Sequence, residues 1–132
     1  MARSRDGGRT WTSSQVTGVS AFAFFPSVAV DSHGTVGVTW YDLRNDRAGD
    51  AALTADAWFA SSDDRGRTWR QRHLAGPFDM RAAPFGRNGH QLGEYQGLTA
   101  LPGRGFAALF AAPAPLAKDG PTDIFFARIE PG

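Results

Sequence analysis

The chain has 132 residues, a formal net charge of +1 at pH 7 and no cysteine. The absence of cysteine excludes disulfides, thiolate zinc sites and a cysteine nucleophile, and a balanced charge without a basic run argues against a nucleic-acid partner. No apolar run is long enough to cross a bilayer, so no membrane span is predicted. The length fits one compact domain or part of a larger one.

Short apolar or alternating runs, separated by Gly, Asp and Pro, cover most of the chain and show no sustained helical period. They predict an all-β protein whose antiparallel strands are joined mainly as hairpins. The predicted strands, in chain order, are 10–16, 26–31, 35–41, 56–62, 68–74, 95–101, 105–111 and 123–129.

An octapeptide pattern, S-x-D-x-G-x-T-W, occurs at residues 4–11 and again at 62–69. The Asp carboxylate can accept hydrogen bonds from backbone N–H groups just ahead of it, and the Gly supplies a backbone angle that other residues resist. The Thr-Trp pair then opens a strand, so the pattern predicts a structural turn between two strands. Its structural residues are Ser4, Asp6, Gly8 and Trp11 in the first copy and Ser62, Asp64, Gly66 and Trp69 in the second.

A second internal repeat involves the strands themselves. The aligned segments are 28–30 with 98–100 and 36–40 with 106–110, both at an offset of 70, and 56–60 with 123–127, at an offset of 67. One unit therefore has four strands, with the octapeptide between the third and the fourth. Three parts are predicted. Residues 1–24 hold an octapeptide and the fourth, or outer, strand of one unit, residues 25–76 form a complete unit, and residues 77–132 hold a long loop and the first three strands of the next unit.

The connections between strands fall into two kinds. Antiparallel strands place successive connections at opposite ends of a sheet, so the short turns and the octapeptide are predicted at one end. The long connections, about 42–55, 75–94 and 112–122, are predicted at the other. Long loops gathered at one end of a repeat array usually mark the binding surface, and the candidate site is therefore placed there.

The first long connection contains Asp42, Arg44 and Asp46, which alternate and would project together from a strand end. In one interpretation Arg44 clamps a carboxylate, and the two aspartates bind sugar hydroxyls or supply an acid. In a second, an Asp–Arg network ties the loop to the next repeat unit. In a third, Asp42, Asp46 and Asp50 hold calcium, since clustered carboxylates suit a hard cation.

The second long connection contains Arg81, Arg87, Glu94 and Tyr95. The adjacent Glu94 and Tyr95 make a poor catalytic pair, because neighbours in a strand point to opposite faces. The three histidines of the chain are scattered, and no two have the spacing of metal ligands. They are interpreted as surface or hydrogen-bonded structural groups.

The octapeptide resembles the Asp box, or bacterial neuraminidase repeat, of sialidases and several other β-propeller families. Residues 25–31, 34–44 and 93–98 are also similar to segments of sialidase-like repeat proteins. The resemblance implies β-propeller blades of four antiparallel strands, about two blades of a six-bladed ring in this chain. It also implies an exported protein that acts on or binds terminal sialic acid or related glycans, although the first residues carry no signal-peptide pattern.

Sialidases use a tyrosine nucleophile with a glutamate, an aspartate acid/base and three arginines that bind the sugar carboxylate, an exception to the two-carboxylate rule. By this resemblance the candidate catalytic residues are Asp42, Tyr95 and Glu94, and the candidate substrate contacts are Arg44, Asp46, Arg81 and Arg87. The Arg-Ile-Pro segment that carries the first family arginine is not found in this sequence. Two hypotheses remain: part of an exo-sialidase-like glycoside hydrolase, or a non-catalytic module that binds a glycan or a protein.

Blades bury their faces only against neighbouring blades. Two blades are therefore expected to need partners, either the remaining blades of a longer parent chain or further copies of this chain. Three copies would close a six-bladed ring. The two blades alone are expected to be inactive, because a propeller funnel draws groups from most of its blades.

Overall fold

The computed structural model describes residues 1–87, 89–93, 95–114 and 121–130. Within these residues the chain is built from antiparallel strands, and its one helical element is a short 3₁₀ helix, Met80–Ala82, so the all-β prediction is confirmed. No helix in the described part is long and apolar enough to cross a membrane. The strands are β1 (Ala2–Arg3), β2 (Thr12–Ser13), β3 (Ala23–Val30), β4 (Val36–Asp42), β5 (Thr54–Ser62), β6 (Arg70–Asp79), β7 (Phe85–Gly86), β8 (Gly89–His90), β9 (Gly97–Ala100), β10 (Phe106–Pro113) and β11 (Thr122–Ile129).

Two sheets contain most of the strands. Strands β3 to β6 form a four-stranded antiparallel sheet in chain order, and β9 to β11 form a three-stranded one, also in chain order. Two short pairs, β1 with β2 and β7 with β8, complete the set. The central strands β4 and β5 are buried along nearly their whole length on both faces, so the four-stranded sheet must be covered on each side.

The internal repeat predicted from the sequence is confirmed in the strand register. The β3–β4 and β4–β5 pairs of the four-stranded sheet have counterparts, at the offsets of 70 and 67, in the β9–β10 and β10–β11 pairs of the three-stranded sheet. The matching pairs are Val28–Val38 with Leu98–Ala108, Val38–Ala60 with Ala108–Ala127, and Trp40–Trp58 with Phe110–Phe125. The two sheets are therefore versions of one structural unit.

The three-stranded sheet packs on one face of the four-stranded sheet. Phe106 is completely buried in this contact and lies 5.4 Å from Phe59 between ring centroids. Gly37 lies directly beneath the Phe106 ring, and a Cβ at this glycine would come within 2.8 Å of it. A glycine inside a strand permits such a close approach. The Tyr41 hydroxyl donates a hydrogen bond to the carbonyl of Ala111 across the same contact.

The N-terminal segment, residues 1–20, lies over part of the opposite face of the four-stranded sheet. Val38, Trp40 and Ala60 are buried there, and Met1 and Val16 pack against them. The four-stranded sheet is therefore the middle layer, between the N-terminal segment on one side and the three-stranded sheet on the other.

The strands differ most from prediction in three places. Strand β6 continues to Asp79 instead of ending at 74, because it is an edge strand and its register against β5 shifts between Ala55 and Ala57, which accommodates Pro77. The outer strand predicted over 10–16 is reduced to the two residues of β2, which pair only with β1. The second long connection contains the 3₁₀ helix and the β7–β8 pair, which are too short to leave a periodic pattern.

Candidate functional site

The short turns and the first two long connections lie at opposite ends of the sheets, as predicted; residues 115–120 of the third long connection lie outside the described residues. The turns at 31–35 and 63–69 adjoin at one end, where the Thr35 hydroxyl donates to Asp63 at 2.8 Å. The Ser32 hydroxyl donates to the carbonyl of Gly103 at 3.2 Å, which brings the corresponding turn of the three-stranded sheet to the same end. We call this the turn end. The long connections after β4 and β6 leave from the other end, the loop end.

Both octapeptide turns share the same hydrogen bonds around the Asp carboxylate and the Ser hydroxyl. The Asp6 carboxylate accepts from the N–H of Arg9 at 3.0 Å, and from the N–H and the hydroxyl of Thr10 at 2.9 and 2.6 Å. The corresponding distances at Asp64 are 2.9, 2.9 and 2.6 Å. In each copy the Ser hydroxyl accepts from the Gly N–H, at 2.8 and 2.7 Å. The carboxylates are thus fully engaged within their own turns.

These contacts also set the ionisation of the two carboxyl groups. The hydroxyl of Thr10, followed by its N–H and the Ser4 hydroxyl, lowers the pKa of Asp6 to about 2. The same three kinds of donor, led by the Thr68 hydroxyl, hold the pKa of Asp64 well below its usual value. Hydrogen bonds to the charged form favour it, so both turns are built around an ionised aspartate.

At the loop end, Asp42 and Arg44 bind each other. Asp42 has no exposed surface, and its carboxylate accepts from Arg44 Nε at 2.9 Å and from Arg44 Nη2 at 2.7 Å. The Trp40 indole N–H donates a further hydrogen bond at 2.8 Å. Burial opposes ionisation of Asp42, but the bonds from Arg44 and Trp40 outweigh it and the pKa of Asp42 is lowered. A buried, ionised carboxylate of this kind does not suit the predicted general-acid role.

The remaining surface of the Arg44 guanidinium is also engaged. Its Cζ atom lies 3.8 Å from the centroid of the Trp58 ring, a cation–π contact. Its Nη1 group donates to the Gln71 side chain at 3.1 Å. Asp42 and Arg44 therefore form an Asp–Arg network, as in the second interpretation, but the network lies within one sheet, since Gln71 belongs to β6. The Nε, Nη1 and Nη2 groups of Arg44 all donate within it, which leaves no pair of them for a substrate carboxylate.

Sequence reasoning missed a second buried carboxylate, Asp56. Its side chain is 1% exposed, and its oxygens lie 2.8 Å from Nε2 of His73 and 2.9 Å from Nδ2 of Asn45. Asp56 lies opposite Asp42 in the β4–β5 ladder. The signal available in the sequence was a charged residue inside an otherwise apolar strand, since such a residue is buried only with partners.

Nothing in the described residues supports the calcium interpretation. Asp46 accepts a hydrogen bond from the N–H of Thr54 at 2.8 Å and thereby closes the first long connection, while Asp42 is bound to Arg44 and Asp50 is exposed. The described residues include no group of three or more His, Asp or Glu side chains placed to hold a metal ion. Calcium at these aspartates remains a prediction.

The second long connection presents exposed polar side chains. Arg87 and Tyr95 are exposed, Tyr95 by 91%, and Arg81 is exposed while its guanidinium donates to the carbonyl of Ala51. Glu94, the third candidate catalytic residue, lies outside the described residues. The loop end therefore holds Arg81, Arg87 and Tyr95 on its surface and holds Asp42, Arg44 and Asp46 within its own structure.

A mostly apolar cavity opens at the same end. Its volume is about 340 Å³, and its lining includes Phe24, Phe25, Leu43, Met80 and His90. This volume is near the lower limit for small-molecule sites. Phe25 has φ of 51°, a conformation rare for a non-glycine residue, and non-glycine residues held in this region cluster at functional sites.

Comparison of the chain with protein-family models, with curated proteins and with solved structures gives no match. The class of protein is therefore defined by the fold and the turns: an all-β chain of stacked antiparallel sheets with two hydrogen-bonded octapeptide turns.

Proposed function

We propose that the chain forms two blades of a sialidase-like β-propeller and that its loop end binds a glycan ending in sialic acid or a related acidic sugar. In this proposal the chain acts as a non-catalytic binding module. Stacked four- and three-stranded versions of one unit, with Asp-box turns at one end, support the propeller part.

The observation that carries the binding part is the separation of roles between the two ends. The turn-end aspartates are engaged in backbone hydrogen bonds, whereas Arg81, Arg87 and Tyr95 are exposed at the loop end. The guanidinium group of arginine can bind a sugar carboxylate through two parallel hydrogen bonds. The tyrosine side chain offers a ring face for stacking on the sugar and a hydroxyl for hydrogen bonding. An acidic glycan is the ligand class that this combination favours.

Catalysis by this chain has less support, because Asp42 is buried and paired with Arg44. Hydrolysis of a terminal sialoside by a complete propeller is a second proposal, and the exposed phenol of Tyr95 is the observation in its favour. A tyrosine nucleophile must reach the substrate, and this side chain is free to do so.

A glycan-binding assay with turnover measured in the same samples tests both proposals. Arg81→Ala and Arg87→Ala are each expected to weaken binding of a sialylated glycan about tenfold, the value of one charge-assisted hydrogen bond. Arg67→Ala, an exposed arginine at the turn end, is the matched control and should bind like the wild type. Binding without release of sialic acid supports the module. Release that is abolished in Tyr95→Phe supports the hydrolase, and an equal loss in all three arginine variants contradicts a site at the loop end.

A further inference from the structure

Two apolar surfaces on opposite sides of the stacked sheets are left open by the described chain. The first, the exposed patch, consists of Leu109, Ile124 and Phe126 on the outer face of the three-stranded sheet, which are 50%, 69% and 66% exposed. The second, the receiving patch, consists of Val28 and Val30 on β3, an edge strand of the four-stranded sheet, and these are 61% and 57% exposed. Large apolar side chains gathered in this way mark an interaction surface.

The internal repeat shows what covers a surface like the exposed patch. Its equivalents in the four-stranded sheet are Thr39, Ala57 and Phe59, which are at most 5% exposed. They lie on the face that the three-stranded sheet covers, where Phe59 contacts Phe106. The same positions are therefore buried in one sheet and open in the next.

The receiving patch has equivalents of the same kind. Val28 and Val30 correspond to Leu98 and Ala100 of β9, and both of these pack against the core between the two sheets. The edge strands β3 and β9 lie side by side in this core, and the side-chain amide of Gln96 donates to the carbonyl of Phe25. Within one copy, therefore, the residues equivalent to the exposed patch lie on one side of the contact between the sheets. The residues equivalent to the receiving patch lie on the other side.

A cavity beside the receiving patch provides room for incoming side chains. Its volume is about 460 Å³, and it lies between the N-terminal segment and the sheet, lined by Phe24, Pro26, Val38 and Trp40 on one side and by Val16 on the other. An apolar space of this size favours occupation by apolar groups over water. Leu109 and Phe126, which lie opposite each other across β10 and β11, are groups of that kind.

We propose that this chain self-associates head to tail, with the exposed patch of one copy packed on the receiving patch of the next. The contact would repeat between copies the packing that the two sheets already make within one copy. A heterologous contact of this type gives a ring if its rotation closes and an open chain if it does not. The proposal rests on the stacking part of the proposed function and not on glycan binding, so the two can fail independently.

Light scattering on a size-exclusion column tests the proposal with two double variants, each of which blocks one patch. The wild type should have a mass above the 14.2 kDa of one copy. The Leu109→Asp, Phe126→Asp variant and the Val28→Asp, Val30→Asp variant should each be monomeric. An equimolar mixture of the two should form a dimer, because each variant retains the patch that the other lacks. Phe85→Asp, a substitution of a 77% exposed phenylalanine on β7, is the control and should assemble like the wild type.

Circular dichroism of the separate variants identifies any that fail to fold, and the substituted side chains are surface-exposed, so folding should persist. A monomeric wild type would overturn the proposal, since the patches would then belong to a different partner. An oligomer that survives both double variants would also overturn it. A mixture that stays monomeric while the wild type assembles would show a symmetric contact in place of the head-to-tail one.

Discussion

Asp42 and Asp56 lie opposite each other on neighbouring strands, and both are buried, at 0% and 1% exposure. Each carboxylate has its own partners: Arg44 binds Asp42, while His73 and Asn45 bind Asp56. Because Arg44 and Asn45 begin the first long connection, the two aspartates fasten this loop to the sheet. Buried, hydrogen-bonded carboxyl groups of this kind serve the architecture of the loop end and leave substrate contact to exposed residues.

The buried ion pair predicts a large effect of a single substitution. Asp42→Ala should lower the free energy of unfolding by about 3–5 kcal/mol, because it leaves the partly buried Arg44 guanidinium without its carboxylate. Arg44 is only 15% exposed and cannot recover full hydration. Urea unfolding followed by tryptophan fluorescence measures the change.

Two controls separate this effect from a general loss of charge. Glu130→Gln removes the carboxylate of an exposed pair with Arg128 at 3.6 Å and should cost less than about 1 kcal/mol. The double variant Asp42→Leu, Arg44→Met should regain part of the stability lost in Asp42→Ala, since it leaves no unpaired charge, although the Trp40 indole N–H still lacks its acceptor. An Asp42→Ala cost no larger than that of Glu130→Gln would contradict the structural role.

The octapeptide turns predict a dependence of stability on acid pH. The pKa of Asp6 is lowered to about 2 and that of Asp64 is lowered as well, so the folded state binds these protons more weakly than the unfolded state. Their stabilising contribution is complete above the unfolded pKa of about 4, and it is lost as the pH falls through the folded values.

Thermal melting between neutral pH and pH about 2 measures this contribution. The Asp6→Asn, Asp64→Asn variant should melt at a lower temperature than the wild type at neutral pH, and its melting temperature should fall less on acidification. Other aspartates with lowered pKa, including Asp31 and Asp79, should preserve part of the acid dependence. Parallel curves for the two proteins would show that the turn carboxylates make no net contribution.

The contact between the two sheets predicts the outcome of adding one methyl group. Gly37→Ala places a Cβ 2.8 Å from the buried ring of Phe106, and overpacking of this kind costs about 1–3 kcal/mol. Gly97→Ala is the matched control in another strand, because its Cβ would lie 3.8 Å from the Cβ of Leu109, an ordinary contact. Combining Gly37→Ala with Phe106→Leu should reduce the added cost of the alanine. Equal stabilities of the two glycine variants would argue against the observed packing of the sheets.

Much of the fold follows from local and repeated signals in the sequence. The octapeptide specifies its own hydrogen bonds, because donors and acceptors all lie within a few residues of Asp6 or Asp64. The repeat at offsets of 70 and 67 predicted equivalent strand pairs, since side chains on a pleated sheet must keep their register to remain buried. The alternation of connections between ends followed from antiparallel pairing alone.

The arrangement of the candidate site was harder to predict from the sequence. The partnership of Asp56 with His73 depends on the β5–β6 register, which shifts near Ala57 and cannot be read from either strand separately. The alternation of Asp42 and Arg44 correctly placed them on one side, but only the structure shows that they bind each other. Nothing periodic marks the 3₁₀ helix at Met80–Ala82, because one turn is too short to show a pattern.

The measurement that tests the central claim most directly is NMR chemical-shift mapping of the isotopically labelled chain during titration with a sialylated trisaccharide. The proposed function predicts that the largest shifts fall in the first and second long connections, around Arg81, Arg87 and Tyr95, while the octapeptide turns at 4–11 and 62–69 stay unchanged. Largest shifts at those turns, or no shifts with the glycan in large excess, would contradict a glycan-binding loop end.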